Sequence, residues 1–401
     1  MYDLLRDLTV IEGASFVAAP IAALHLQQMG AEVIRFDPIG GGPDFTRWPR
    51  SANGASFYWE GLNKGKKSVA IDLASPAGRE LAQDLAASVG RFVTNYPVNS
   101  FLSHERLEAK RADMITIRVM GWADGGNALD YTVNAAVGVP GMTGPVDRDE
   151  PVNHVLPAWD LATGLYAAFG LLAAERARAN GGGGCEMRVP LGDVALSSLA
   201  ALGQVGESFV TGRDRPRYGN DLYGAFGRDF ITADHVRVMV TAISRKQWSG
   251  LITALAVADE VGALETSLGL SFAQDEGLRF QHRGALNAIV GGAIACMPIT
   301  VLAEAFDRCG VTWYRYQSLS EALRVDPRIR DNPISRPVDH LTGERYPTPG
   351  AAATIPSRDR SEPHRAPMLG EHTEQVLAEI LGLNSGQIGA LIDQGTVSTA
   401  R

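Results

Sequence analysis

One aspartate has both the chemistry and the setting of a nucleophile. Asp160 lies in VNHVLPAWDLATGLY, at the head of a long apolar segment. A carboxylate with an ordinary pKa of ~3.9 is ionised at neutral pH and can attack an acyl group without a base to activate it. The plainer role is an N-cap, for which aspartate ahead of a helix is a favoured residue. The two roles are compatible, since a helix N-terminus also stabilises a carboxylate and any oxyanion that develops beside it. Basic residues are concentrated locally, far from Asp160 in the chain. Lys64, Lys66 and Lys67 stand with Asn63 in GLNKGKKS, either as a solvated face or as a contact for a polyanion. Arg35 and Arg47 flank Gly40-Gly41-Gly42 and could grip a phosphate or carboxylate bidentately. His154 reads as a structural histidine.

These residues fall on an alternating pattern. Leu8–Ile11 reads as a strand, a helix starts around Pro20 and stops at Gly30, and Glu32–Phe36 is a second strand. Ser68–Leu73, Arg91–Thr94 and Met114–Val119 are further strands, with a helix over Pro76–Ala87. Repeated βαβ units predict an open parallel sheet with helices on its faces, where ligands bind beyond the carboxyl ends of the strands. Asn95 ends one of those strands. Asp160–Arg178 is a long helix, closed by Gly181–Gly184 before the strand Glu186–Val189. That order, helix then strand, marks a turn and not a phosphate loop. The triglycine at 40–42 also reads as a tight turn. Two amphipathic helices close the chain, the second behind Ser385 as N-cap.

Composition narrows the class. The 401 residues include 45 acidic and 37 basic side chains, net charge −8, with 45% apolar and 20% charged residues. This is globular composition, and its acidic balance disfavours nucleic acid or an anionic membrane as partner. Cys185, Cys296 and Cys309 show no paired spacing and the histidines no His-x-x-x-His, so neither a disulfide framework nor a metal site is expected. Asp3, Arg6 and Asp7 occupy the place of a signal peptide's apolar core. The uncharged run Leu161–Ala174 is shorter than the ~20 residues of a spanning helix. A cytoplasmic protein is the resulting expectation. G-x-S-x-G, a P-loop and G-x-G-x-x-G after the first strand are all missing.

Several stretches in register resemble the class III CoA-transferases, the family of formyl-CoA transferase and α-methylacyl-CoA racemase. They are VIEGASFVAAP, GAEVIRFDPIGGGPDFTRW, NKGKKSVAIDL, the strand ending at Asn95, the Asp160 helix with GLLAAERARANGGGGCEMRV, and APMLGEHTEQVLAEILGL. The resemblance implies an α/β fold. A large Rossmann-like domain would be built from both chain ends, with a smaller α+β middle domain, in an interlocked homodimer. The expected boundaries are 1–200 for the large domain, 201–225 for a linker, 226–320 for the small domain, 321–365 for a second linker and 366–401 for the returning helices.

The resemblance also implies roles. Asp160 takes the place of the family's nucleophile. Coenzyme A, as part of the substrate and not as a separate cofactor, would meet Val17, Arg35, Ile71, Asp72, Asn95 and Tyr96, with Lys64 and Lys66 as local cations. The racemases' acid/base histidine corresponds to Leu129, which transfers no proton. The glutamine of formyl-CoA transferase corresponds to Val17, and Pro38 stands where some relatives carry a CoA-binding arginine. DYTVN, MTGP and DRPRYGN-LYGAFGRDF match the branch that moves CoA within one molecule, from the C1 to the C4 carboxyl of mesaconate. Arg47, Tyr131, Asn134 and Tyr223 are the expected contacts of that compact dicarboxylate. An intermolecular CoA-transferase, a 2-methylacyl-CoA racemase and a non-catalytic nucleotide-binding protein remain the alternatives.

Overall fold

A computed structural model describes residues 1–400. The chain divides into two compact units, one made of residues 1–137, 154–211 and 332–401, the other of 138–153 and 212–331. The first begins with β1 (Thr9–Gly13), α1 (Ala18–Gln28), β2 (Glu32–Pro38), α2 (Phe57–Leu62), β3 (Lys67–Ile71), α3 (Pro76–Val89), β4 (Arg91–Thr94), α4 (His104–Lys110), β5 (Ile115–Met120) and α5 (Asp130–Ala136). After α6 (Val139–Met142) of the second unit, it continues with α7 (Ala158–Ala179), β6 (Cys185–Pro190), α8 (Leu191–Ala201) and α9 (Gln204–Thr211).

The second unit carries the antiparallel strands β7 (Phe226–Ile231), β8 (Arg237–Ala242) and β9 (Thr312–Arg315). Helices α10 (Arg245–Leu255), α11 (Ala258–Leu268), α12 (Glu276–Gln281), α13 (Arg283–Ala295) and α14 (Ile299–Cys309) separate β8 from β9, and α15 (Leu319–Val325) and α16 (Pro327–Arg330) follow. Its own core gathers Phe226, Val240, Trp248, Phe272, Leu286 and Phe306. The chain then returns to the first unit with the hairpin β10 (Ser335–Asp339) and β11 (Arg345–Pro349), the helices α17 (Thr373–Leu381) and α18 (Ser385–Asp393), and β12 (Val397–Ser398).

Seven strands of the first unit form one sheet in the order β12-β3-β2-β1-β4-β5-β6, parallel except for the edge strand β12. A parallel sheet is covered on both faces, and every residue of Ile115–Val119 in β5 is buried, the polar Thr116 and Arg118 included. Local chemistry sets the helix ends. The Ser75 hydroxyl accepts the Gly78 N–H, Pro76 opens α3, and Gly90 closes it at φ 73°. Among the described residues, no helix is long and apolar enough to cross a membrane.

The structure departs from the sequence reading in several places, among them helix α9 inside 201–225, expected as a linker. Asn384, and not Ser385, caps α18, accepting the Gln387 N–H. The segment 321–365, expected as a linker, contains the β10–β11 hairpin, whose Tyr346 hydroxyl donates to the buried Glu60 at 2.6 Å. Residues 138–153, expected in the large domain, cluster with the second unit.

Candidate active site

Helix α7 opens without a cap of its own. Pro157 stands at the N-cap position, and Asp160 lies in the first turn instead of capping it. The cap comes from α5. Asp130, 2% exposed, accepts the backbone N–H of Trp159 at 2.7 Å and of Asp160 at 3.1 Å with one carboxylate oxygen, while its other oxygen meets His154 Nε2 at 2.8 Å. The Trp159 indole N–H donates to Asn134 at 3.1 Å. Asp130 thereby satisfies orphan amides of α7 and fixes the turn that carries Asp160. The opposite side of α7 packs on α1 at a close approach. A Cβ on Gly164 would lie 2.2 Å from the Ile21 side chain and 2.9 Å from the Ala18 carbonyl oxygen.

The electrostatics of Asp160 follow from these neighbours. Burial pushes its carboxyl up, the Asp130 charge adds to the effect, and Arg47 counters it, leaving a pKa raised to about 7. The sequence reading assumed an ordinary value. The environment makes the carboxylate more basic, hence more nucleophilic, while a substantial fraction stays ionised near neutrality.

Asp160 opens onto a cleft of about 740 Å³ beyond the carboxyl ends of β1, β4 and β5, shared with Phe16, Asn95, Tyr96, Gly121 and Leu129. Ala18 and Ala19, at the opening of α1, also line it, and α1 has neither a side-chain cap nor an acid in its first turn. Donors at an uncapped helix start suit a developing oxyanion. Asn95 holds the rim, donating to the Ser15 carbonyl at 2.9 Å and accepting the Ser15 N–H at 3.1 Å. Val17 is half-buried at the start of α1. Tyr96 faces the cleft, its phenol pushed up by burial and then by the charge of Asp37. Leu129 lines the cleft beside Asp160 and offers no proton.

Several expected contacts lie elsewhere. Arg35 is 1% exposed and spends its guanidinium on Asp37, Glu12 and Asp44, at 2.7, 2.8 and 3.2 Å. Burial opposes its charge, but those carboxylates outweigh burial and raise its pKa. Lys66 is buried too, donating to Glu12 at 2.6 Å, the Pro20 carbonyl at 2.9 Å and Asn63 at 3.1 Å. Lys64 donates to the Pro349 carbonyl at 2.9 Å, and burial lowers its pKa to about 8. Arg35 and Lys66 therefore belong to an interior ion network with Glu12 of β1 and Asp37 of β2, while Lys64 is held by a backbone carbonyl. Lys67 alone of the three lysines reaches toward solvent, pairing with Glu32 at 2.6 Å. Ile71 is wholly buried in β3, and Asp72 just past it accepts the Ala74 N–H at 3.1 Å.

Of the expected dicarboxylate contacts, Asn134 is wholly buried and supports Trp159. Tyr131 is exposed, with its ring 5.9 Å from that of His154. Tyr223 belongs to the second unit, where the Arg215 guanidinium lies 3.9 Å from its ring centre. Arg47 is exposed, its guanidinium 5.3 Å from the Phe16 ring and 4.9 Å from the Tyr58 ring, near enough to Asp160 to pull its pKa down. Sequence reasoning missed Asp130, Asp44 and Tyr58. The Tyr58 hydroxyl is buried without a hydrogen-bond partner, and burial followed by the Asp44 charge pushes its pKa up. Only the thirty-residue step from Asp130 to Asp160 linked the first pair, and no local pattern marks such a cross-helix cap.

A buried carboxylate in the first turn of a helix, at a cleft beyond the carboxyl ends of a parallel sheet, is the arrangement of an α/β enzyme, and the comparisons are specific. Residues 5–373 match the model of CoA-transferase family III, so the chain belongs to that family. It is 43% identical over 404 residues to 2-methylfumaryl-CoA isomerase of Chloroflexus aurantiacus, covering 99% of this chain and 98% of the relative. It is 26% identical to the mouse succinyl-CoA:glutarate CoA-transferase, covering 98% and 90%. Among solved structures, a CaiB/BaiF family protein from Brucella suis superposes with a TM-score of 0.76 at 22% identity, over 95% of this chain and all of that one, which establishes the likeness of fold.

Proposed function

We propose that the protein moves coenzyme A within one molecule, converting 2-methylfumaryl-CoA (mesaconyl-C1-CoA) to 3-methylfumaryl-CoA (mesaconyl-C4-CoA). The observation that carries this reading is Asp160, a carboxylate with a pKa of about 7 at a cleft over the sheet's carboxyl edge, in a chain 43% identical to an isomerase of that name.

Asp160 attacks the C1 thioester carbonyl and the C–S bond breaks, leaving a mixed anhydride and CoA thiolate. The thiolate attacks the aspartyl carbonyl, giving an aspartyl-CoA thioester and free mesaconate. Mesaconate turns, its C4 carboxylate attacks that thioester, and thiolate is again expelled. Thiolate then takes the C4 acyl group and Asp160 is restored. No step transfers a proton, so Leu129 in place of an acid/base is no obstacle. Amides at the opening of α1 donate to the oxyanions, Arg47 binds the free carboxylate, and Asn95 and Tyr96 border the CoA-bearing arm.

The reading includes a homodimer and a cytoplasmic setting. Support for the dimer is the apolar strip Leu165, Tyr166, Phe169 and Leu172 along α7, with Phe209 and Val210 of α9 also exposed in the single chain. Light scattering on the purified protein tests it, and a monomer would refute it. The three cysteines, all unpaired, accord with a reducing compartment.

Incubation with mesaconyl-C1-CoA, with the C1 and C4 thioesters resolved by chromatography, is the direct test. Similarity to the glutarate transferase favours a second reading, in which a free acid accepts CoA. Incorporation of labelled free mesaconate or succinate during turnover would establish it.

A further inference from the structure

The buried ion network contains one carboxylate more than charge balance requires. Three acids, Glu12, Asp37 and Asp44, surround two cations, Arg35 and Lys66. Glu12 bridges both cations, at 2.8 and 2.6 Å, and Asp37 takes two guanidinium N–H bonds, at 2.7 and 2.8 Å. Those two acids already neutralise the pair. Asp44 is 1% exposed yet holds Arg35 by a single, longer contact at 3.2 Å. Its closer partner is backbone: the Phe16 N–H donates to both of its oxygens, at 2.9 and 3.0 Å.

Phe16 is the residue that needs holding. It stands in the left-handed region at φ 69°, a conformation bulky side chains avoid and which persists where the surroundings impose it. It lies in the turn between β1 and α1, on the wall of the cleft that contains Asp160. Its ring forms one of the two aromatic surfaces against the Arg47 guanidinium, Tyr58 the other.

We infer that Asp44 is a positioning residue for the substrate's free carboxylate. Braced by Arg35, it holds Phe16 left-handed, so that the rings of Phe16 and Tyr58 fix Arg47 beside Asp160. The inference rests on the carboxylate-binding role proposed above for Arg47. It turns Arg35, expected as a ligand contact, into the buried end of a relay, Arg35–Asp44–Phe16–Arg47, that shapes the site without touching the substrate.

The test compares Asp44→Ala, Asp44→Asn and Phe16→Ala in steady-state turnover of mesaconyl-C1-CoA, with crystal structures of the folded variants. Asparagine retains an acceptor for the Phe16 N–H, so Asp44→Asn keeps KM within threefold of the parent. Asp44→Ala and Phe16→Ala raise KM tenfold or more while kcat changes less than threefold. In the Asp44→Ala structure, Phe16 leaves the positive-φ region. An unchanged KM in Phe16→Ala, equal impairment of the two Asp44 variants, or an unmoved Phe16 in Asp44→Ala overturns the inference. Phe16→Ala leaves the ion network intact and decides the matter if Asp44→Ala does not fold. Should the parent protein fail to turn over mesaconyl-C1-CoA, the functional reading falls, and the crystal structures still decide whether Asp44 positions Phe16 and Arg47.

Discussion

Asp130 and Asp160 are joined by a hydrogen bond that runs from the backbone of one to the side chain of the other, Asp160 N–H to Asp130 carboxylate at 3.1 Å. The same group therefore anchors the nucleophile's main chain and repels its charge. Capping by a carboxylate stabilises a helix start by about 1 kcal/mol, and the added negative field contributes to the raised pKa of Asp160. One residue thus trades ease of ionisation for nucleophilic strength.

Asp130→Asn separates the two effects. The amide oxygen still caps α7, but the charge is gone, so the Asp160 pKa falls from about 7 toward the ordinary carboxylate range. The acid limb of kcat/KM, expected near pH 7 in the parent, moves to lower pH, and the plateau rate falls because the carboxylate is less basic. Asp130→Ala also loses the cap and unfolds more easily by about 1 kcal/mol. A pH profile from 4.5 to 9 with a urea titration of each variant measures both. An acid limb that does not move in Asp130→Asn contradicts this account.

Asp160→Asn removes the attacking group and should reduce isomerisation by ~10³-fold or more. Its effect on stability has the opposite sign. The folded-state pKa of Asp160 lies above the unfolded value, so the folded protein binds the extra proton and parent stability falls as pH rises from about 4 to about 7. An asparagine escapes that loss. The variant should match the parent near pH 4 and exceed it above pH 7, by on the order of a few kcal/mol. Thermal melts at pH 4.5 and pH 8 check this, and equal midpoints at pH 8 would count against a strained carboxylate.

Arg35 shows what a sequence does and does not reveal. Strands, helices and the parallel sheet were legible because apolar periodicity and caps are local, and β4 begins and ends where its residues predict. The candidate nucleophile stood out because an aspartate heads a long apolar helix, and that residue lines a cleft at the sheet's carboxyl ends. Partners did not. Arg35 and Lys66 look like surface cations because the buried partners that hold them, Glu12 and Asp44 above all, are not marked by any local pattern, and Lys64 is held by a backbone carbonyl that no pattern marks either. Likewise the cap of α7 comes from α5, and nothing around Pro157 announces it. The β10–β11 hairpin was hidden by its prolines, which mimic an open connection but occupy a two-stranded ribbon.

Arg35→Met tests the reassignment of that residue. It leaves Asp37 and Asp44 without their guanidinium, and breaking a buried pair by removing one partner costs ~3–5 kcal/mol. The denaturation midpoint should fall sharply, while molecules that remain folded bind free CoA with affinity within threefold of the parent. A surface CoA contact would show the reverse, with unchanged stability and weakened binding. Urea denaturation and calorimetric titration with CoA distinguish the two.

Gly164 sits one turn after Asp160, where α7 crosses α1 with no room for a side chain. A Cβ there would lie 2.2 Å from Ile21 and 2.9 Å from the Ala18 carbonyl, so Gly164→Ala must push the helices apart. Overpacking of this kind costs ~1–3 kcal/mol. The functional consequence should be larger, because Asp160 is carried by one of these helices and the amides proposed to bind its oxyanions open the other. A displacement of ~1 Å between such groups can lower the rate about 10²-fold. Ile21→Ala removes the nearer obstruction, so the double variant Ile21→Ala, Gly164→Ala should regain most of the lost kcat/KM even though its core has lost a methyl-bearing side chain. If the double variant is as slow as Gly164→Ala alone, the spacing of α1 and α7 does not govern catalysis, and the loss must come from the helix backbone of α7 itself.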